Sequence, residues 1–243
     1  MGVFFKVVLG IHIVAGAVAL LVFWIPLVTR KGGRTHRRMG WVYVAAAATI
    51  AVTGLLRCAG LMADGNPRHW RAGVFLAYVG LFAAASAQIG VRALGAKGRT
   101  VAPYRAIDRV LPVLLVAGGG ALAAYGLSQS KLLYVLFAAL GAAQGSAYLR
   151  FWRTVHSSGH EWFLAHMSGM GTSCITTLTA FAVVNAPRLG LRTFDISVWA
   201  APIAALGTGL TVWRGYYAKR LLRRQSVPGY EVPGAPLRGR DRC

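Results

Sequence analysis

Apolar residues dominate this chain in long stretches, and the charged residues that interrupt them recur at intervals close to the thickness of a bilayer. The pattern predicts helices over 3–28, 41–63, 72–94, 110–129, 131–150, 162–186 and 197–217. Each stretch approaches or exceeds the about 20 residues that a helix needs to cross a hydrocarbon core of about 30 Å. Lipid offers no partner to backbone N–H and C=O groups, so spans of this length must satisfy them internally as helices; the shorter alternating segments of a membrane barrel are absent. The fold class expected is all-α, a polytopic membrane bundle of seven transmembrane helices occupying residues 1–217. Residues 218–243 follow as a basic tail rich in Pro, Gly and Arg, too polar to bury a core and expected to be disordered on the cytoplasmic side.

Tryptophan placement supports this segmentation, because indole favours the headgroup level, where its ring is sheltered and its N–H stays wet. Trp24, Trp41, Trp70, Trp162, Trp199 and Trp213 all fall near predicted helix ends. Lys and Arg then set the orientation. With the N-terminus outside and the C-terminus cytoplasmic, nineteen flanking basic residues lie inside and five outside, as the positive-inside rule requires. The net charge of +21 would suggest nucleic acid in a soluble protein. Here the charge lines one membrane face, where it sets topology and meets anionic lipid, and no nucleic-acid module accompanies it. The expected location is a bacterial inner membrane, crossed several times.

Several signals carry no chemistry. The first apolar run exceeds the hydrophobic region of a secretory signal and is expected to persist as helix, and Lys6 stands where a myristoylation motif needs Ser or Thr. Cys58, Cys174 and Cys243 show neither disulfide nor metal spacing. Ala15, Gly16 and Ala19, and Gly141 with Gly145, form small-residue faces that let membrane helices approach closely. Pro26, Pro112 and Pro202 are expected to kink or end helices.

The chemistry lies in the histidines and in the sixth span. His12 stands nine residues into the first span, about 14 Å along the axis, and projects from the face that carries Ala15, Gly16 and Ala19. A titratable ring at that depth needs a partner, whether cofactor, substrate or another side chain. The sixth span places His166, Met170, Ser173 and Thr177 on one continuous face, with Thr172, Thr176 and Thr179 beside it. His36, His160 and His166 all fall within about two turns of the cytoplasmic face, so they are expected to converge there with Glu161 nearby, if the second and sixth spans are neighbours. His156 lies just ahead of them in sequence, and His69 in an outer turn is read as solvated. Arg57 is expected to reach the outer face or to pair with Asp64 or Asp195, and Gln88 and Gln144 to bond between helices.

The histidine of the first span, followed by Gly16, Pro26, Lys31 and Gly32, precedes the string His36-Arg37-Arg38-Met39-Gly40-Trp41-Val42-Tyr43. Over roughly residues 9–54, with looser likeness around His166, this resembles a family of bacterial multi-pass membrane proteins known as domain of unknown function 2306. The resemblance implies a membrane fold and points at His12, His36 and His166, and it assigns no reaction.

Three functions compete. The first is a redox protein that binds haem b or a transition metal through His12, His36, His160, His166 and Met170, exchanging electrons with quinone or another carrier. The second is a small-solute or ion transporter lined by the first and sixth spans, although no span carries a carboxylate near its middle. The third is a His-metal membrane hydrolase resembling the seven-helix ceramidase group, which needs an intramembrane Asp; a non-catalytic assembly subunit completes the set.

Overall fold

A computed structural model of the chain describes residues 2–97, 105–154 and 160–225. The tail from 226 with Cys243, and Arg99 and His156 in the connections, lie outside the described residues. The described elements are helices without a strand: α1 (Val3–Val22), α2 (Trp24–Val28), α3 (Arg34–Ala63), α4 (Pro67–Arg92), α5 (Ala106–Ser128), α6 (Leu132–Arg153), α7 (Glu161–Asn185) and α8 (Ile196–Gln225). Short 3-10 turns extend α4 over Ala93–Ala96 and α7 over Ala186–Leu189. Seven units are long and apolar enough to cross a membrane, α1 and α2 together forming the first.

Local sequence explains the boundaries. Pro26 has no N–H to return to Val22, and the first span breaks at Phe23 into α1 and α2. The Lys31 ammonium then donates to the carbonyl oxygens of Pro26 and Leu27, at 2.9 and 2.6 Å, closing the end of α2. Gly32 and Gly65 hold left-handed backbone, φ +76° and +75°, at the two turns that flank α3. After Gly65, Asn66 caps α4 by accepting from the Arg68 N–H, and Pro67 occupies the first helical position, where its missing donor costs nothing. Several helices run further than apolarity alone predicts, most of all α3, which begins at Arg34 rather than 41, α4, which begins at Pro67 rather than 72, and α8, which reaches Gln225 rather than 217. Hydropathy marks the hydrocarbon region, whereas a helix continues past it until a cap or a left-handed residue stops it.

Helix α4 occupies the middle of the bundle, touching α3, α5, α6 and α7, and α7 in turn packs on α8 and α1. The core of one half is aromatic. Phe75 stacks on Tyr134 at 4.7 Å between ring centres and meets Phe137 and Trp199 edge-on at 5.3 and 5.2 Å. Tyr78 passes between α5 and α6, donating to the Leu115 carbonyl, and a Cβ on Gly141 would fall on its hydroxyl. A Cβ on Gly145 would sit 2.7 Å from the Pro112 carbonyl oxygen, so both glycines of the α6 face serve the close approach their spacing suggests. Gly16 does not: space around it is open, and the buried residues of α1 are Val8, Ala15 and Ala19.

Gln88 and Gln144 bond between helices as expected, Gln144 reaching Ser86 Oγ at 2.8 Å. Gln88 leads to a feature that apolarity conceals. Asp108, the third residue of α5, is fully buried and accepts from Gln88 Nε2, from Arg92 Nε and Nη2, and from the Arg105 backbone N–H, all between 2.6 and 2.9 Å. Arg92 also lies over the Trp152 ring, 5.8 Å from its centre. One carboxylate thereby joins α4 and α5, with α6 held through the arginine, at the end where most basic residues gather.

Candidate functional site

At that basic end, a cleft of about 410 Å³ opens between α2 and α3 on one side and α7 and α8 on the other, with the turn after α4 closing its base. Its position follows from the break at Phe23, which turns α2 aside, and from the Gly32 turn, which delivers the first residues of α3 against α7. The third residue of α3 is His36 and the sixth of α7 is His166.

The two imidazoles face one another with ring centres 6.3 Å apart and planes at 63°. Each is fixed through the same atom. His36 Nδ1 lies 3.0 Å from the Pro26 carbonyl oxygen, and His166 Nδ1 lies 2.6 Å from that of Gly90. A carbonyl only accepts, so both Nδ1 atoms carry the proton, and in the neutral rings both Nε2 atoms keep an open lone pair. This arrangement prepares a histidine as a ligand or a base: the second nitrogen is oriented and its tautomer set by a backbone bond.

The α4–α7 crossing makes that bond to Gly90 available. A Cβ on Gly169 would lie 2.6 Å from the Gly90 nitrogen, so only glycine lets the helices approach closely enough for His166 to reach a carbonyl on α4. Met170, one turn beyond His166, lines the same cleft. Tyr43 forms part of its floor, its hydroxyl 2.8 Å from Ser173 Oγ and 3.2 Å from Thr177 Oγ1. The polar stripe of α7 therefore divides: His166, Met170, Ser173 and Thr177 face α3, whereas Thr172, Thr176 and Thr179 line a smaller cavity of about 220 Å³ toward α4, α6 and α8. Thr176 and Thr179 donate into their own helix, leaving lone pairs toward that cavity.

The cleft's walls are aromatic and its charge is positive. Trp41, Trp162, Trp213 and Tyr217 contribute rings, and Lys31, Arg37 and Lys97 contribute cations, with no Asp or Glu among the lining residues. Lys31 Nζ sits 5.0 Å from the Trp213 ring centre and Lys97 Nζ 4.3 Å from that of Trp162. Burial pulls the Lys31 ammonium below the ordinary lysine pKa. A ligand here must supply its own negative charge.

The expected trio of histidines reduces to a pair. His160 caps the start of α7 and does not line the cleft, and no three His, Cys, Asp or Glu are grouped to hold a metal ion among the described residues. His166, six residues on, lines the cleft and bonds to α4 through the Gly90 carbonyl. His12 belongs elsewhere. Its Nδ1 lies 2.9 Å from Thr53 Oγ1, and Thr53 is seventeen residues along α3 from His36, about 25 Å at the helical rise.

Arg57 does not pair with Asp64 or Asp195, because both acids are engaged locally. Asp64 is bonded by His69 and by the Asn66 N–H, which hold its carboxyl below the usual carboxylate range, and Asp195 caps the start of α8 through Ser197. Asp108 falls just ahead of the span expected from 110, and its pairing with Arg92 was not foreseen. The available signal was the need of Arg92, on the same helix face as Gln88, for a counter-ion. No family model, curated protein or solved structure matches the chain.

Proposed function

We propose that the protein is a membrane redox protein whose basic cleft would hold one haem b through His36 and His166. The carrying observation is the imidazole pair, anchored at both Nδ1 atoms and 6.3 Å between centres. With both Nδ1 protons committed to backbone carbonyls, the Nε2 lone pairs of the two rings would be the atoms that hold such a group's metal. Two protein donors do not complete a bare metal site, whereas an iron that brings four ligands of its own needs only two.

Other features of the cleft support the same group. Its volume falls within the range of about 300–1,000 Å³ typical of cofactor clefts. Lys31, Arg37 and Lys97 suit the acidic side groups of such a macrocycle, and the tryptophans suit its flat faces. An iron porphyrin so bound supplies one-electron chemistry. The chain's own residues orient it, shield it from water and, through the carbonyls of Pro26 and Gly90, raise the basicity of its ligands. A quinone in the bilayer of a bacterial plasma membrane is the partner class this reading implies.

The transport and hydrolase readings are less well supported by the same geometry. The threonines that would line a solute path face a cavity on the other side of α7 from the cleft, and the buried Asp108 is taken by Arg92. The likeness of residues 9–54 to domain of unknown function 2306 stands as a proposal beside this one; two of its three histidines form the pair.

The test is a spectrum of full-length protein purified in a mild detergent after haem-supplemented expression. A Soret band that sharpens on dithionite, lost in both His36→Ala and His166→Ala and retained in His12→Leu, is the expected result. Colourless wild-type protein, or haem content unaffected by either alanine, refutes the assignment.

A further inference from the structure

In the half of the bundle away from the cleft, α3 turns a second polar face toward α1. Thr53 donates its only hydroxyl proton to the Thr49 carbonyl at 2.6 Å, so its oxygen must accept from His12 Nδ1 at 2.9 Å. That holds the imidazole against α3 through Nδ1. One turn further along the same face stands Arg57, whose charge acts on the His12 ring. Its Nη1 is buried without a hydrogen-bond partner, and neither ion pair among the described residues involves it.

A guanidinium inside a membrane helix with no carboxylate beside it is costly, and such groups persist where something outside the chain neutralises them. The surroundings indicate where that something comes from. In the most apolar stretches of the α1–α2 and α3 spans only 22% and 17% of residues are buried, against 50% for α4, so the seam borders lipid. Arg57 lies six residues before the last residue of α3, about 9 Å along the axis, within reach of the headgroup level for a long side chain. Gly54 beside it adds no bulk against the His12 ring.

We propose that Arg57, with His12 positioned by Thr53, binds an oxyanion, the carboxylate or phosphate of a membrane amphiphile, at the α1–α3 seam. The guanidinium takes the oxygens of the head group, and the His12 ring, held by Thr53, packs beside it. The apolar chain lies along the exposed faces of α1 and α3. This site is independent of the histidine cleft and of whatever the cleft holds.

The experiment uses full-length protein delipidated in dodecyl maltoside, titrated separately with phosphatidylglycerol, oleate and inorganic phosphate, and followed by native mass spectrometry and thermal midpoint. Wild type should bind one tight anionic amphiphile more than Arg57→Gln, with the affinity of that site falling about tenfold or more in the variant. Arg57→Lys should fall between them. Lipids held by the basic face are common to all three proteins and cancel. An Arg57-dependent shift with the amphiphiles alone identifies a lipid or fatty-acid head; the same shift with inorganic phosphate identifies a soluble oxyanion on the same groups. Equal binding of all three probes by wild type and Arg57→Gln overturns the proposal. So does a fall in the delipidated midpoint of Arg57→Gln, because removing a charge that no protein group neutralises must leave that midpoint level or raise it.

Discussion

Asp108→Ala is the substitution to which this bundle should be most sensitive outside its glycines. The carboxylate is fully buried and accepts four hydrogen bonds, two of them from Arg92. Alanine removes the acceptor and strands four donors, two of them on the charged guanidinium. Breaking a buried ion pair by deleting one partner costs about 3–5 kcal/mol, chiefly because the surviving charge is left uncompensated. The Arg92 side chain keeps 29% exposure at the end of the bundle, so it can turn partly toward water or headgroups. That relief lowers the expectation to about 2–4 kcal/mol. Asp108→Asn keeps the shape and loses the charge, and should cost about half as much. In the Asp108→Ala background, Arg92→Met should recover about 1 kcal/mol or more by removing the stranded guanidinium. Reversible unfolding of the detergent-solubilised protein in mixed micelles, run as a double-mutant cycle, measures all three quantities. A loss below about 1 kcal/mol for Asp108→Ala, or no recovery in the double variant, would show that the network is not holding α4 and α5 together.

Two further outcomes follow from the same coordinates. Gly169→Ala pushes a methyl group against the Gly90 backbone, so α7 must withdraw from α4; it should destabilise the bundle by about 1–3 kcal/mol and, by stretching the His166–Gly90 bond, reduce occupancy of the cleft measured spectrally. A reporter fused to the C-terminus should be active only in the cytoplasm, given nineteen flanking basic residues on that side against five on the other, and a periplasmic signal would reverse the orientation.

The number of helices, their type and their approximate spans were readable from the sequence, because lipid imposes one rule on every span: length, apolarity and internally satisfied backbone groups. Those constraints act within a segment, so a one-dimensional pattern records them. The turn before α4 is local in the same way, with Gly65, Asn66 and Pro67 each doing a local task, although apolarity alone placed the start of that helix at 72. The depth of each histidine also followed from residue counting at a fixed rise, which is why His36 and His166 could be expected at one level and His12 at another.

What neighbours what could not be read this way. In lipid every helix face is apolar, so no strong pattern marks the face that meets a partner. The pairing of His36 with His166 depends on α3 and α7 being drawn to the same side of α4, a consequence of Gly90 against Gly169 that neither glycine announces alone. His160 has the right depth yet does not line the cleft. Asp108 and Arg57 show the same limit from opposite sides: both are charged residues near span ends, yet one is enclosed by four donors contributed by residues sixteen and twenty positions upstream and by its own cap, while the other finds no acid among the described residues. Sequence fixes which charges enter the membrane, and only the packing of helices distant along the chain decides which of them are neutralised from within.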